Sequence, residues 1–339
     1  MSLQLLSAVR RLAFASAASL ALAAVPASAQ QFTGKLGTAT INDDQHEWLK
    51  RFKDRIEARF PGTIKLDIYP ASQLGSIARQ IEGMQLGTVE GWLGPPGFLA
   101  GIEPRYQVFD SPGIFDGKDH CFRTVTDPAI RDSALKMAEP KGLTAVSIYC
   151  SSEAAYVSKK PIRTLDDFKG LKIRVLASKI ERRATEELGA TPTPMDLGEV
   201  VGALQQGAID ASKSGISIFY AFKYFNVAKY VTATHEAMIV DMVFLSKLWF
   251  DKLPADIQAA MREEGAKIDQ QIHVFNNKFK DEIYENWVKA GGELLKLSPA
   301  DQAELMKRTG TAGADVVKDN PAQKSFHELL SKTAAKYKG

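Results

Sequence analysis

The sequence predicts an α/β protein with mostly parallel sheet, organised as two domains around a crevice. Three observations predict it. Segments with the two-residue period of strands alternate with segments of helical period. The 339 residues are enough for two domains of ordinary size, yet no flexible linker divides them, so the chain crosses between the domains more than once. One helical pattern, from Pro254 to Ala290, exceeds an ordinary globular helix and must either kink or run along both domains. In such folds ligands sit between domains or at the carboxyl ends of strands.

The chain opens on a leader. Arg10 and Arg11 precede the uncharged apolar run Leu12 to Val25, and Ala27-Ser28-Ala29 is a small-x-small cleavage site. Residues 1–29 therefore read as a secretory signal peptide, with an apolar run too short to span a membrane comfortably. No later stretch has the apolar length of a membrane span, so residues from 30 onward are expected to work as a soluble protein outside the cytoplasm, in a Gram-negative cell in the periplasm. That compartment permits a disulfide between Cys121 and Cys150; the alternative is two small buried hydrophobes.

Trp48, Phe52, Ile56 and Phe60 recur every four residues, which marks one helix face over Asn42 to Phe60. Asn42, Asp43 or Asp44 can cap it, and Pro61-Gly62 ends it. Ile64, Leu66 and Ile68 alternate with polar residues as a half-buried strand. Ser76 to Leu86 reads as a helix stopped by Gly87, and Leu143 to Tyr149 as a strand. Leu171, Ile173 and Val175 share one strand face, with Lys172 and Arg174 on the other. Ser178 to Leu188 and Leu197 to Gln206 are helices ended by Gly189 and Gly207. In the longest pattern Ile257, Met261, Ile268, Ile272, Phe275, Phe279, Ile283 and Trp287 form one face, and Gly291-Gly292 closes it.

Composition narrows the function. Hydrophobic residues make up 45% and charged residues 24%, which excludes disorder and fibrous repeats. A net charge of +3 with interspersed signs argues against a nucleic-acid binder. Gly-x-Ser-x-Gly, P-loop and Gly-x-Gly-x-x-Gly motifs are absent from the sequence. His46-Glu47, His235-Glu236 and His327-Glu328 begin like a zinc motif, but none has a second His four residues on. The expectation is a binding protein without cofactor or metal, rather than an enzyme; distant residues could still assemble a triad.

One stretch is more specific. Pro161-Ile162-Arg163-Thr164-Leu165-Asp166-Asp167-Phe168-Lys169-Gly170-Leu171-Lys172-Ile173-Arg174-Val175 is followed by Leu188 to Met195 and by Ala203-Leu204-Gln205-Gln206-Gly207-Ala208-Ile209-Asp210. This run closely resembles the substrate-binding subunits of the tripartite ATP-independent periplasmic (TRAP) transporters. Tyr69 to Gly75, Lys229 to His235 and Leu253 to Gln258 resemble further segments of that family, so the similarity spans nearly all of the chain after the leader. The resemblance implies a periplasmic-binding-protein fold of two α/β domains with a central cleft and a long kinked helix spanning both. We place domain I at 30–152 plus 240–280 and domain II at 153–239 plus 281–339. It also implies a mechanism: the domains close on a solute, and the closed form docks on the small and large subunits of a membrane permease driven by an ion gradient. Most of the resembling proteins act as monomers.

The resemblance implies that Arg174 grips a substrate carboxylate, which suits a planar guanidinium fork. The rest of the pocket departs from the sugar-acid pattern. Ser214 stands where an Asn usually contacts the ligand, and Ala177 where an Asn sometimes stands. Ser151-Ser152-Glu153 occupies the place of a second Arg, which makes Glu153 a candidate contact. Leu197 replaces a frequent Phe, and Trp92 lies in a segment without charged contacts. One cation with thinned polar contacts points to an aromatic or otherwise hydrophobic monocarboxylate. If Lys213 faces the cleft, a dicarboxylate returns. Alternatives are a C4-dicarboxylate or sugar-acid receptor, a sensory ligand-binding protein, and a periplasmic enzyme.

Overall fold

The computed structural model describes residues 32–338; residues 1–29, expected to be a signal peptide, lie outside the described residues. The first half runs β1 (Phe32–Thr38), α1 (Asp44–Arg59), β2 (Ile64–Tyr69), α2 (Ile77–Leu86), β3 (Gly91–Gly94), α3 (Lys118–Thr126), α4 (Pro128–Lys136) and β4 (Leu143–Ser158). Next come β5 (Lys172–Val175), α5 (Lys179–Glu187), β6 (Thr191–Pro194), α6 (Val200–Gln206), β7 (Ala211–Ser214), α7 (Ile216–Ala221) and β8 (Tyr230–Ser246). The chain ends with α8 (Lys247–Phe250), α9 (Ala255–Lys289), β9 (Glu293–Lys296), α10 (Pro299–Thr309), α11 (Ala312–Val317) and α12 (Pro321–Ala335).

Among the described residues one sheet holds all nine strands in the order β2-β1-β3-β8-β4-β7-β5-β6, with β9 beside β8. It is mixed. β1 pairs in parallel with β2 and β3, and β5 with β6 and β7, as the alternating pattern predicts. The long strands β4 and β8 are antiparallel to each other and join the two parallel groups. Their ladder shifts register at Ala145/Ser147, Cys150/Ser152 and Glu153/Ala155; bulges of this kind bend and twist a strand where one half of the sheet passes into the other.

Local rules explain the elements near the cleft. Asp43 caps α1 by accepting from the His46 amide, and Trp48, Phe52 and Ile56 are fully buried. Each such side chain contributes about 1.5–3 kcal/mol of burial. Ser76 caps α2, and Gly87 ends it in the left-handed region at φ 74.

The oversized pattern after Pro254 forms a single helix of 35 residues. Its first half packs Ile257, Met261, Ile268 and Ile272 on the core of the first parallel group. Its second half buries Ile283 and Trp287, with Trp287 against Phe219 and Phe225. Gly265 lets α9 approach β4 closely, because a Cβ there would stand 2.3 Å from the Val146 carbonyl oxygen. One turn on, buried Asp269 accepts from Trp48 Nε1 at 2.9 Å, Arg131 Nη1 at 2.7 Å and the Ser147 hydroxyl, tying α9 to α1, α4 and β4. Cys121 of α3 and Cys150 of β4 form a disulfide with Cα atoms 6.2 Å apart.

Candidate functional site

The carboxyl ends of β1, β3, β5 and β7 converge on one cavity, which also takes in the middle of β4 and β8. Its atoms border about 460 Å³, counting space open toward solvent. One half of the sheet supplies Thr40, Asp44, Gln45, Ile77, Trp92 and Phe98; the other supplies Arg174, Leu176, Leu197, Ser214 and Ile218. Ser151 and Ile239 come from the long strands where the halves meet.

Arg174 dominates the site. The alternation of β5 puts Ile173 and Val175 in the core beneath it, and the guanidinium lies 1% exposed on the cavity wall rather than on a solvated edge. Nε donates to the Met195 carbonyl at 3.1 Å and Nη1 to the Lys213 carbonyl at 3.3 Å. Nη2 has no partner among the described residues, and no carboxylate lies within ion-pair distance. Burial lowers the proton affinity of this guanidinium, opposed by Tyr224, Glu181 and Asp196, but arginine stays charged. A buried cation with an unpartnered donor nitrogen is costly to leave uncompensated, and an anion in the cavity meets both needs.

The structure brings four of the six candidate contacts together: Arg174, Trp92, Leu197 and Ser214 line this cavity. Trp92 is 1% exposed, stacks on Phe244 and meets Phe98 edge-on, so it is both core and cavity wall. Ala177 and Glu153 are not among its lining. Ala177 is exposed, because the chain turns outward after β5 to reach the Ser178 cap of α5. Glu153 sits at a register shift in β4 and borders an adjoining cavity, where His235 Nδ1 stands 2.6 Å away and Lys280 Nζ 3.5 Å. Its His235 hydrogen bond, offset in part by burial, draws its carboxyl down to about 2. Lys213 does not line the cavity either. Its ammonium lies 3.4 Å from both Glu181 and Glu236, in a buried ionic group near Asp110.

Several wall residues escaped the sequence reading. Asp44 reads only as a helix cap, but it faces the cavity and is shared, with Ser151 and Ser217, by the adjoining cavity. Behind it lie buried Asp43 and Asp241. Asp241 within the apolar run Ile239 to Phe244 was the available signal, since a carboxylate inside a buried strand needs a reason.

A contact also crosses the cleft. Asp196, after β6, accepts through Oδ2 from the Ile77 amide at the start of α2 at 2.8 Å, while its Oδ1 accepts from the Gly198 amide.

Comparison with known proteins places this arrangement. Residues 37–319 match the family model described as bacterial extracellular solute-binding protein, family 7. The chain is 31% identical to a C4-dicarboxylate-binding periplasmic protein of Rhodobacter capsulatus, over 75% of this chain and 76% of that one. It is 29% identical to a 2,3-diketo-L-gulonate-binding periplasmic protein of Escherichia coli, over 85% and 81% respectively. In fold it resembles a TRAP periplasmic solute-binding protein of Desulfovibrio salexigens with bound orotic acid, at TM-score 0.85 and 23% identity, covering 91% of this chain and 100% of that one.

Proposed function

The chain belongs to bacterial extracellular solute-binding protein family 7, the TRAP periplasmic solute-binding proteins, and on that premise we propose that it captures a hydrophobic or aromatic monocarboxylate and delivers it for uptake. The carboxylate sits on Arg174. The apolar body packs against Trp92, Phe98, Leu197 and Ile218. Domain I, 30–152 plus 240–280, and domain II, 153–239 plus 281–339, close around it. The closed monomer, exported through the leader 1–29 to the periplasm, docks on the small and large TRAP permease subunits, and an ion gradient drives uptake.

The observation that carries this reading is the buried Arg174 guanidinium, with Nη2 unpartnered on a cavity wall that is otherwise largely apolar. The pairing of Lys213 with Glu181 and Glu236 supports a single anionic group, since it takes that ammonium out of the cavity. A dicarboxylate is the second reading, favoured by Lys118 and Lys280 in the adjoining cavity.

The test is a thermal-shift screen of residues 30–339, unfolded and refolded to strip carried ligand, against aromatic acids, branched keto and hydroxy acids, C4-dicarboxylates and sugar acids. A ligand at a hundred times its Kd adds about 2.7 kcal/mol. We expect aromatic or branched monocarboxylates to shift the melt and Arg174→Ala to abolish the shift. A response confined to polyhydroxylated sugar acids would overturn the proposal.

A further inference from the structure

We infer that the bound acid carries a cationic nitrogen at a point remote from its carboxylate, held by Asp44. The inference rests on the reading above, in which Arg174 takes the carboxylate.

Two buried ionisable groups of opposite sign border the same cavity, and neither has an ion-pair partner among the described residues. Arg174 is one. Asp44, 3% exposed, is the other. They come from different halves of the sheet and do not pair with each other. The single hydrogen bond to the Asp44 carboxylate from a described side chain is a long one from Asn276 Nδ2, at 3.4 Å. Burial, then the charge of Asp43, pushes its carboxyl up to about 7, against the opposing pull of Asn276 and, more weakly, Lys118.

The surroundings deepen the deficit. Asp43 and Asp241 are buried behind Asp44, and each has one carboxylate oxygen without a partner among the described residues. Gln45, on the cavity wall, already donates to Asp241 at 3.2 Å, and its own oxygen accepts from Thr38 Oγ1 at 2.6 Å. Neither basic group nearby forms an ion pair with Asp44 among the described residues, although Lys118 borders the adjoining cavity and its charge reaches the carboxyl. Lys280 approaches Glu153, and Lys118 lies outside ion-pair distance of Asp44. A ligand hydroxyl would supply a hydrogen bond but no charge. A nitrogen cation supplies both, and its carboxylate does the same for Arg174, so an ammonium-bearing carboxylate satisfies both groups at once. In the same cavity Phe98, Leu176, Leu197 and Ile218 present apolar surface suited to the carbon body.

The experiment is calorimetric titration of refolded residues 30–339 with matched triples: para-(aminomethyl)benzoate, para-(hydroxymethyl)benzoate and para-methylbenzoate, and straight-chain ω-amino, ω-hydroxy and plain alkanoates of equal length. We expect the amine to bind at least roughly tenfold tighter than its partners in one series, the scale of a hydrogen bond to a charged group. Asp44→Asn should erase that gap, so that the amine binds no tighter than its hydroxyl and methyl or alkyl partners. Asp241→Asn should narrow the gap and serves as a second variant. Carboxylates that bind through Arg174 with no amine preference overturn this inference alone. Carboxylates that bind equally well to Arg174→Ala overturn the parent reading, and this one with it.

Discussion

The Lys213 carbonyl accepts a hydrogen bond from Arg174 Nη1 at 3.3 Å, while the Lys213 ammonium sits between Glu181 and Glu236. The backbone of one cation thus orients the other, and the side chain of Lys213 serves the interior rather than the ligand. Lys213→Ala removes the cation from a group of buried carboxyls that includes Asp110, itself pushed up to about 8 by burial and Glu181. Breaking a buried pair in this way costs about 3–5 kcal/mol. Denaturant unfolding should register that loss, with the ranking of ligands unchanged.

Asp196 links the two halves of the cleft through the Ile77 amide. In the proposed mechanism the halves close on the ligand, so losing that contact penalises the closed form and with it binding. Asp196→Ala should therefore weaken binding several-fold in calorimetry while moving the melting temperature of ligand-free protein by little.

Gly265 sits where α9 meets the backbone of Val146. Backbone cannot move aside as a flexible side chain can, so Gly265→Ala should cost about 1–3 kcal/mol in chemical unfolding despite alanine's better helix propensity.

Asp44 sets a pH dependence. Its carboxyl is raised from 3.8 to about 7 in the folded protein, chiefly by burial. Between those values the native state holds a proton that the unfolded chain has released. The stability tied to this group is therefore full below about pH 4 and falls as pH rises toward about 7. Asp43, Asp241, Tyr149 and Lys118 share its surroundings. The stability advantage of Asp44→Asn over wild type, measured by melting of ligand-free protein, should grow from about pH 4 to 7 and then level off. An advantage that shrinks over that window contradicts the assignment.

Arg174 was legible because strand alternation and an ordered motif coincide at it. Its burial was not, because the Met195 and Lys213 carbonyls that cover it come from segments distant in sequence. The first helix and its Asp43 cap followed from four-residue spacing and local chemistry. β8 escaped notice because both of its faces are largely buried, which removes the alternation that marks a half-exposed strand. Glu153 and Ala177 were placed by analogy of position, and local geometry, a bulge and an outward turn, carries them away from the cavity that Arg174 lines. The pairing of Cys121 with Cys150 depended on the docking of α3 against β4, a tertiary fact that spacing does not encode.

The most direct test of the account is a crystal structure of residues 30–339 with a bound monocarboxylate found in the screen. The account predicts the carboxylate within about 3 Å of Arg174 Nη2, with its carbon body against Trp92 and Leu197. A carboxylate held elsewhere in the cleft, with Nη2 still unpartnered, would contradict it.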